Sequence, residues 1–237
     1  MRITKVAGEQ PKGFISGNQL KIIALVAMTC DHMGKQLFPQ IGWLQIVGRL
    51  AFPIFAYMIA EGCAYTKNRK KYLAQMAILG FLCQVVYFIA MGSLYQSVLV
   101  AFSLAIVLIY AIDYARTRRD IWGGYVAVTA FGLVWFVSVG LPFILDRTDY
   151  SIDYGFTGIL LIVGIYLAKG RVWKWIVATV FLIVLSMNLG GIQWYSLMAL
   201  PLLALYSGQR GKGGMKHLFY VYYPLHLACI YGLSLLL

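Results

Sequence analysis

The run IWGGYVAVTAFGLVWFVSVGLPFI, Ile121 through Ile144, is 24 residues without a charged side chain. As a helix rising about 1.5 Å per residue it reaches ~36 Å, more than the ~30 Å hydrocarbon core of a bilayer. It reads as a membrane span. Charged residues bound it on both sides: Arg116, Arg118, Arg119 and Asp120 before it, Asp146 and Arg147 after it. Similar apolar windows recur outward in both directions. The pattern predicts nine spans at 20–38, 47–66, 72–91, 94–112, 121–144, 154–168, 172–189, 191–207 and 217–236, within a range of eight to ten. Composition agrees: 61% of the chain is hydrophobic and 12% charged, where a soluble domain carries roughly a quarter charged residues. The expected fold is an all-α, multi-pass transmembrane bundle. No soluble stretch is long enough for a second core, so residues 20–237 are expected to form one polytopic membrane domain behind a cytoplasmic segment, 1–19. That segment, with Glu9, Pro11, Gly13 and Gly17, does not read as a cleavable signal.

The net charge of +12 invites a nucleic-acid reading, and the distribution of charge opposes it. Arg2, Lys5, Lys12 and Lys21 lie at the N-terminus. Lys67, Arg69, Lys70 and Lys71 lie between spans two and three, and Arg116, Arg118 and Arg119 between spans four and five. Lys169, Arg171 and Lys174, then Arg210, Lys212 and Lys216, complete the set. With nine spans these 17 of the 20 basic residues fall on one side. Positive-inside bias makes that side, and the N-terminus, cytoplasmic. The cysteines, Cys30, Cys63, Cys83 and Cys229, sit inside expected spans without a C-x-x-C pair, so neither a disulfide framework nor a metal site is indicated.

Charge at membrane depth costs roughly 2.5–3.5 kcal/mol per residue on insertion scales, so charged residues within spans need a reason. The first span, LKIIALVAMTCDHMGKQLF, carries Asp31 and His32 past its midpoint, with Lys35 four residues after Asp31 on the same face. The second carries Arg49 near its outer end and Glu61 in its inner half, with Pro53 between them to kink the helix. The ninth, HLFYVYYPLHLACIYGLSLL, carries His226 near its middle, with Tyr222 one turn earlier and Tyr223 and Pro224 beside it. A mid-membrane histidine can simply hydrogen-bond a neighbouring helix. His32 has company that favours chemistry, and imidazole, with an ordinary pKa near ~6.5, is a natural general base. Asp31 could orient His32 directly or through a neighbour; pairing with Arg49 or Lys35 serves the carboxylate equally well, since adjacent helix positions point about 100° apart.

Four blocks carry a family resemblance. They are LKIIALVAMTCDHMG (Leu20–Gly34), GRLAFPIFAYMIAEGCAYTKN (Gly48–Asn68), DYGFTGIL (Asp153–Leu160), and YSGQRG with FYVYYPLHL (Tyr206–Leu227). Together they resemble the TraX family of membrane proteins, whose name-giving member acetylates the N-terminus of a conjugative pilin. The fourth span lacks the Asn and Thr expected there, and Ser207 and Gln209 depart from the family's Asn and Lys. The wider set of multi-pass acyltransferases often carries an arginine ten residues before the first-helix histidine; Ile22 stands there, beside Lys21.

The resemblance implies a bacterial plasma-membrane acetyltransferase that takes acetyl from cytoplasmic acetyl-CoA. The acceptor is an amine or hydroxyl of a pilin-like peptide or surface glycan. It implies His32 as base with Asp31 beside it, Arg49 or Tyr223 at the carbonyl or oxyanion, and His226 as a second proton-transfer group. Glu61 holds an acceptor ammonium or pairs with Arg49. Lys35, Tyr222 and Tyr223 are candidate substrate contacts. Asp153 and Tyr154 line the acceptor's entrance or cap a helix. The CoA phosphates meet Arg116, Arg118 and Arg119, or the loop Gly208, Arg210, Gly211 and Lys212, whose glycines allow an anion nest; either loop also reads as topogenic charge on a turn. Lipid and acetyl-CoA are the expected partners, without nucleic acid or metal. The competing readings are a proton-coupled transporter or flippase and a non-catalytic assembly protein.

Overall fold

The computed structural model describes residues 13–211 and 216–236, leaving side chains at 90 and 216–220 aside. It is all-helical: α1 Gly17–Gln36, α2 Gly42–Gly48, α3 Ala51–Tyr65, α4 Arg69–Met91, α5 Val98–Arg118, α6 Ile121–Trp135, α7 Leu141–Ile144, α8 Gly155–Leu167, α9 Arg171–Leu189, α10 Ala199–Ala204 and α11 Lys216–Ser234. A π-helical turn, 136–140, joins α6 to α7, and a 3-10 helix, Gly191–Met198, precedes α10. Helix starts follow local chemistry. Ser16 and Gln19 form a reciprocal capping box on α1, Asn68 caps α4 through the Lys71 amide, and Asp120 caps α6 through the Gly123 amide.

Prolines explain where the helices depart from regularity. Pro53 has no N–H to donate to the Arg49 carbonyl, and the expected second span breaks there, with α2 ending at Gly48, Arg49 as its C-cap and Pro53 in the first turn of α3. The helix also begins earlier than expected, at Gly42. Pro142 likewise cannot donate to the Ser138 carbonyl, and the π turn falls on that stretch. Within the expected eighth span, 191–207, the backbone is a 3-10 helix followed by six α-helical residues rather than one regular α-helix. Gly190 and Gly191 enter it in left-handed conformation (φ +66° and +51°), and Pro201 removes another donor.

Among the described residues, five helical rods are long and apolar enough to cross a bilayer: Gly42–Tyr65, Arg69–Ile89, Val98–Arg118, Ile121–Ile144 and Arg171–Leu189. Their outward faces carry large apolar side chains, such as Ile89 at 78% and Phe143 at 85% exposure, a surface suited to lipid rather than water. The chain is a helical membrane protein. It divides into two compact units, Met1–Phe55 with Tyr195–Leu237, and Ala56–Trp194. In the first, α1 packs on α2 and on α11; in the second, α5 packs on α4, α6 and α8, and α8 on α9.

Candidate functional site

In the first unit, α1 places Leu25, Thr29 and His32 on one face. α11 meets that face. The Thr29 hydroxyl donates to the Leu25 carbonyl at 2.9 Å, so the Tyr222 hydroxyl, 2.8 Å away, donates to Thr29. One turn on, His32 Nδ1 lies 2.9 Å from His226 Nε2, and His226 Nδ1 lies 2.9 Å from the Tyr222 carbonyl. A carbonyl only accepts, so His226 carries its proton on Nδ1. Its Nε2, in the neutral ring, then accepts from His32 Nδ1–H, which leaves the lone pair of His32 on Nε2. Among the described residues Nε2 of His32 has no hydrogen-bond partner. Tyr222 stacks on the His226 ring (centroids 5.3 Å, 10°) and Tyr223 meets it edge-on (5.5 Å, 79°), holding an imidazole that is 6% exposed.

The next face of α1 carries Asp31, and α2 closes over it. Lys35 Nζ stands 2.6 Å from Asp31 Oδ2, and the Arg49 guanidinium bonds Oδ1. Asp31 and Arg49 side chains are 11% and 12% exposed, Lys35 49%. Both carboxylate oxygens are therefore engaged, and the group that orients His32 is His226, across 194 residues of sequence. Gly48 makes the close packing possible: a Cβ there would stand 2.4 Å from Asp31 Cβ.

In the second unit, Glu61 accepts from Lys174 Nζ at 2.5 Å, with Lys174 5.9 Å from the centre of the Tyr57 ring. Glu61 is thus partnered within the second unit, as Arg49 is with Asp31 in the first. Asp113 accepts from Arg69 and from the Tyr166 hydroxyl, each at 2.5 Å, and Arg69 lies over the Tyr110 ring at 5.0 Å. Sequence reading missed this cluster. Asp113, a carboxylate at the edge of an apolar run, was its available signal.

The family model described as "TraX protein" matches residues 16–234, spanning both units. The chain belongs to the TraX family. It is 27% identical over 250 residues to "Probable fimbrial assembly protein FimC, serogroup H1" of Dichelobacter nodosus, covering 91% of this chain and 94% of that protein. It is 26% identical over 136 residues to "Uncharacterized protein RP591" of Rickettsia prowazekii (strain Madrid E), covering 57% of this chain and 49% of that one. No solved structure matches.

Other candidate residues of this TraX-family chain are on the loop 206–211 and in the second unit. The loop 206–211 binds the start of α1 through its backbone: Gly17 N–H donates to the Gln209 carbonyl (2.8 Å), Asn18 N–H to that of Arg210 (2.9 Å), and Ser207 N–H to that of Ile15 (2.8 Å). Gly208 and Gly211 adopt φ of +74° and +86°, and a Cβ at Gly211 would lie 2.7 Å from Ser16 Oγ. Gly211 serves close chain approach, Gly208 has open space around it, and Gln209 and Arg210 present their carbonyls to the first amides of α1. Lys212 lies outside the described residues. In the second unit Arg118 bonds Tyr114 and Asp120, each at 2.9 Å, while Arg116 and Arg119 are exposed. Asp153 accepts from the Tyr95 hydroxyl at 2.8 Å; burial first, and then this carboxylate, hold the phenol above its ordinary pKa. Tyr154 stands at the N-cap position of α8 in left-handed conformation (φ 63°), without a side-chain cap.

Proposed function

We propose that this chain is a membrane-embedded acyltransferase of the cytoplasmic membrane, transferring acetyl from acetyl-CoA to an amine or hydroxyl of a membrane or extracytoplasmic acceptor. The carrying observation is the imidazole pair, which leaves His32 Nε2 as an unprotonated base. As the acceptor atom bonds to the thioester carbonyl carbon, its proton passes to Nε2. The oxyanion collapses, the C–S bond breaks, and the CoA thiolate leaves and takes up that proton. His226 accepts the Nδ1 hydrogen bond throughout, which spreads the charge of the imidazolium. Tyr223 and Arg49 are the donors for the oxyanion. Acetyl-CoA brings the thioester and its phosphates. Exposed Arg116, Arg119 and Arg210 make no ion pair among the described residues and suit those phosphates.

The family's association with pilin acetylation, and the fimbrial assembly name of the Dichelobacter protein, favour a pilin-like acceptor. A surface glycan hydroxyl is the other acceptor class for this chemistry. That same name also favours, as a second reading, a non-catalytic assembly protein. Nine spans with a cytoplasmic N-terminus are proposed with the function. Thr29 meets Tyr222 and His32 meets His226, so α1 and α11 run parallel, as an odd span count requires.

Acetyl-CoA binding and slow thioester hydrolysis by the purified protein, wild type beside His32→Ala, test the proposal. Saturable binding is expected, with hydrolysis lowered about 10²-fold or more in the variant. A folded protein that binds no acyl-CoA would leave the assembly reading in its place. Unchanged hydrolysis in His32→Ala would remove His32 as base.

A further inference from the structure

Asp31 is the sole carboxylate among the described residues of the first unit. Its two oxygens are taken by Lys35 and Arg49. His32 itself is hydrogen-bonded to His226, and Asp31, the residue before it, carries Lys35 and Arg49. Asp31, Lys35 and Arg49 together carry one net positive charge, and among the described residues of the first unit no other carboxylate is present to receive a cation. An ammonium brought to His32 would face Lys35 and Arg49 with Asp31, the one carboxylate among the described residues of this unit, already engaged, and like charges placed together disfavour binding.

The two cations are not equivalent. Arg49, 12% exposed, is locked over Asp31 by the α1–α2 packing and also donates from Nε to the Gln45 carbonyl (3.4 Å). Lys35 is 49% exposed, and an ion pair so open to its surroundings is worth little. Its ammonium, on a flexible four-carbon stem, exchanges Asp31 for another anion at small cost, while Arg49 keeps Asp31 neutralised. Lys35 is three residues from His32 on the same helix, a spacing that puts their Cβ atoms about 5–6 Å apart, so an anion held by Lys35 neighbours the base.

We propose, resting on the acyl-transfer reading, that the acceptor is anionic: it carries a carboxylate or phosphate that Lys35 holds while His32 deprotonates a neighbouring hydroxyl or amine. Lys35 is a specificity-determining contact. The bond formed is from that oxygen or nitrogen to the acetyl carbon, the bond broken is the thioester C–S, and the acceptor's proton ends on the CoA thiol.

The test uses the full chain, acetyl-CoA, and matched acceptors: glycerol phosphate, glycerol and choline as hydroxyl acceptors, and an acidic and a basic tripeptide of equal length as amines. CoA release above the acceptor-free background gives kcat/KM for each. Wild type is expected to favour the anionic member of each set by about tenfold or more. Lys35→Gln should bring the ratio near one by raising KM for the anionic acceptor, and Lys35→Glu should invert it. Acetyl-pantetheine, a donor without the nucleotide phosphates, separates the two sources of anion. If Lys35 held the donor's phosphate, Lys35→Gln would raise KM for acetyl-CoA and spare acetyl-pantetheine, and the proposal would fail. Intact acetyl-CoA hydrolysis with charge-blind or cation-preferring transfer would sink the proposal alone. Absence of hydrolysis and of transfer to every acceptor would instead sink the acyl-transfer reading beneath it.

Discussion

Two imidazoles that share one hydrogen bond cannot choose their tautomers independently. The Tyr222 carbonyl sets the proton of His226, and His226 sets that of His32. His226→Gln retains an acceptor for His32 Nδ1–H but cannot carry a proton; His226→Ala removes both. The alanine variant is expected to lower kcat/KM for acetyl-CoA hydrolysis about 10²-fold, with the glutamine variant recovering part of that loss, as read by steady-state thiol release. Equal losses in both would mean that His226 acts by proton transfer rather than by orientation. The members of the site were legible in the sequence because each is a polar residue where lipid or packing should forbid one. Their pairing was not. Asp31 and His32 are adjacent, but helical geometry turns them about 100° apart, toward different neighbours. Glu61 had Arg49 as its conspicuous cation within the same expected span, yet its partner is Lys174, 113 positions on. Nothing in one chain's spelling says which lysine a folded helix will bring to a carboxylate.

Helix contacts depend on what is missing from a surface as much as on what is present. At the α1–α2 crossing Gly48 faces Asp31 and Gly34 faces Leu44, where an added Cβ would stand 2.9 Å from Leu44 Cβ. Gly48→Ala forces the helices apart at the ion pair. It is expected to cost about 1–3 kcal/mol, seen as a lowered thermal midpoint in detergent, whereas Gly124→Ala, with open space around its position, should leave that midpoint near wild type. The helices were legible from apolar windows and prolines, and their ends fell within a few residues of expectation. The 3-10 helix was not, because Gly191–Met198 is as apolar as a regular span and its backbone is set by Gly190 and Gly191 at its entrance. The loops joining α4 to α5 and α7 to α8 were also unread as structure. They pair through Gln96 and Ile152, and Asp149 accepts from the Ser93 hydroxyl and, at 2.9 Å, the Leu94 amide. Those two donors, Ser93 foremost, hold the Asp149 carboxyl below its ordinary value of 3.8. A depressed folded pKa means that the loop contact is fully present above the ordinary value and is lost as pH falls through the depressed one. Hydrogen exchange, corrected for intrinsic rate, should show the Leu94 amide protected at pH 7 and progressively released below about 3.8. Asp149→Ala should be unprotected at either pH.

At the scale of the whole chain, the number of crossings is the quantity on which the direction of chemistry depends. Five rods meet the length and apolarity of a span. α8, at 13 residues, reaches only about 20 Å as a helix, and α1 carries Lys21, Asp31 and Lys35 along its length. Length alone therefore leaves the count open, and two independent constraints narrow it. The parallel run of α1 and α11 needs an odd number of crossings between them, and so an odd total. The basic clusters need Lys67–Lys71, Arg116–Arg119 and Lys169–Lys174 on one side, with the loop Leu145–Asp153 on the other. The proposed odd total with a cytoplasmic N-terminus is consistent with both. In a background with the four native cysteines replaced, Asp146→Cys should react with a membrane-impermeant maleimide on intact cells. Lys67→Cys, equally exposed, should react only after lysis. An epitope fused after Leu237 should be accessible from outside. Labelling of position 67 on intact cells would reverse the orientation and put His32, in the C-terminal half of α1, nearer the cytoplasmic face. A C-terminal epitope on the same side as the N-terminus would mean an even count, which the parallel pairing of Thr29 with Tyr222 and His32 with His226 does not allow in a single chain without one segment folding back within the membrane.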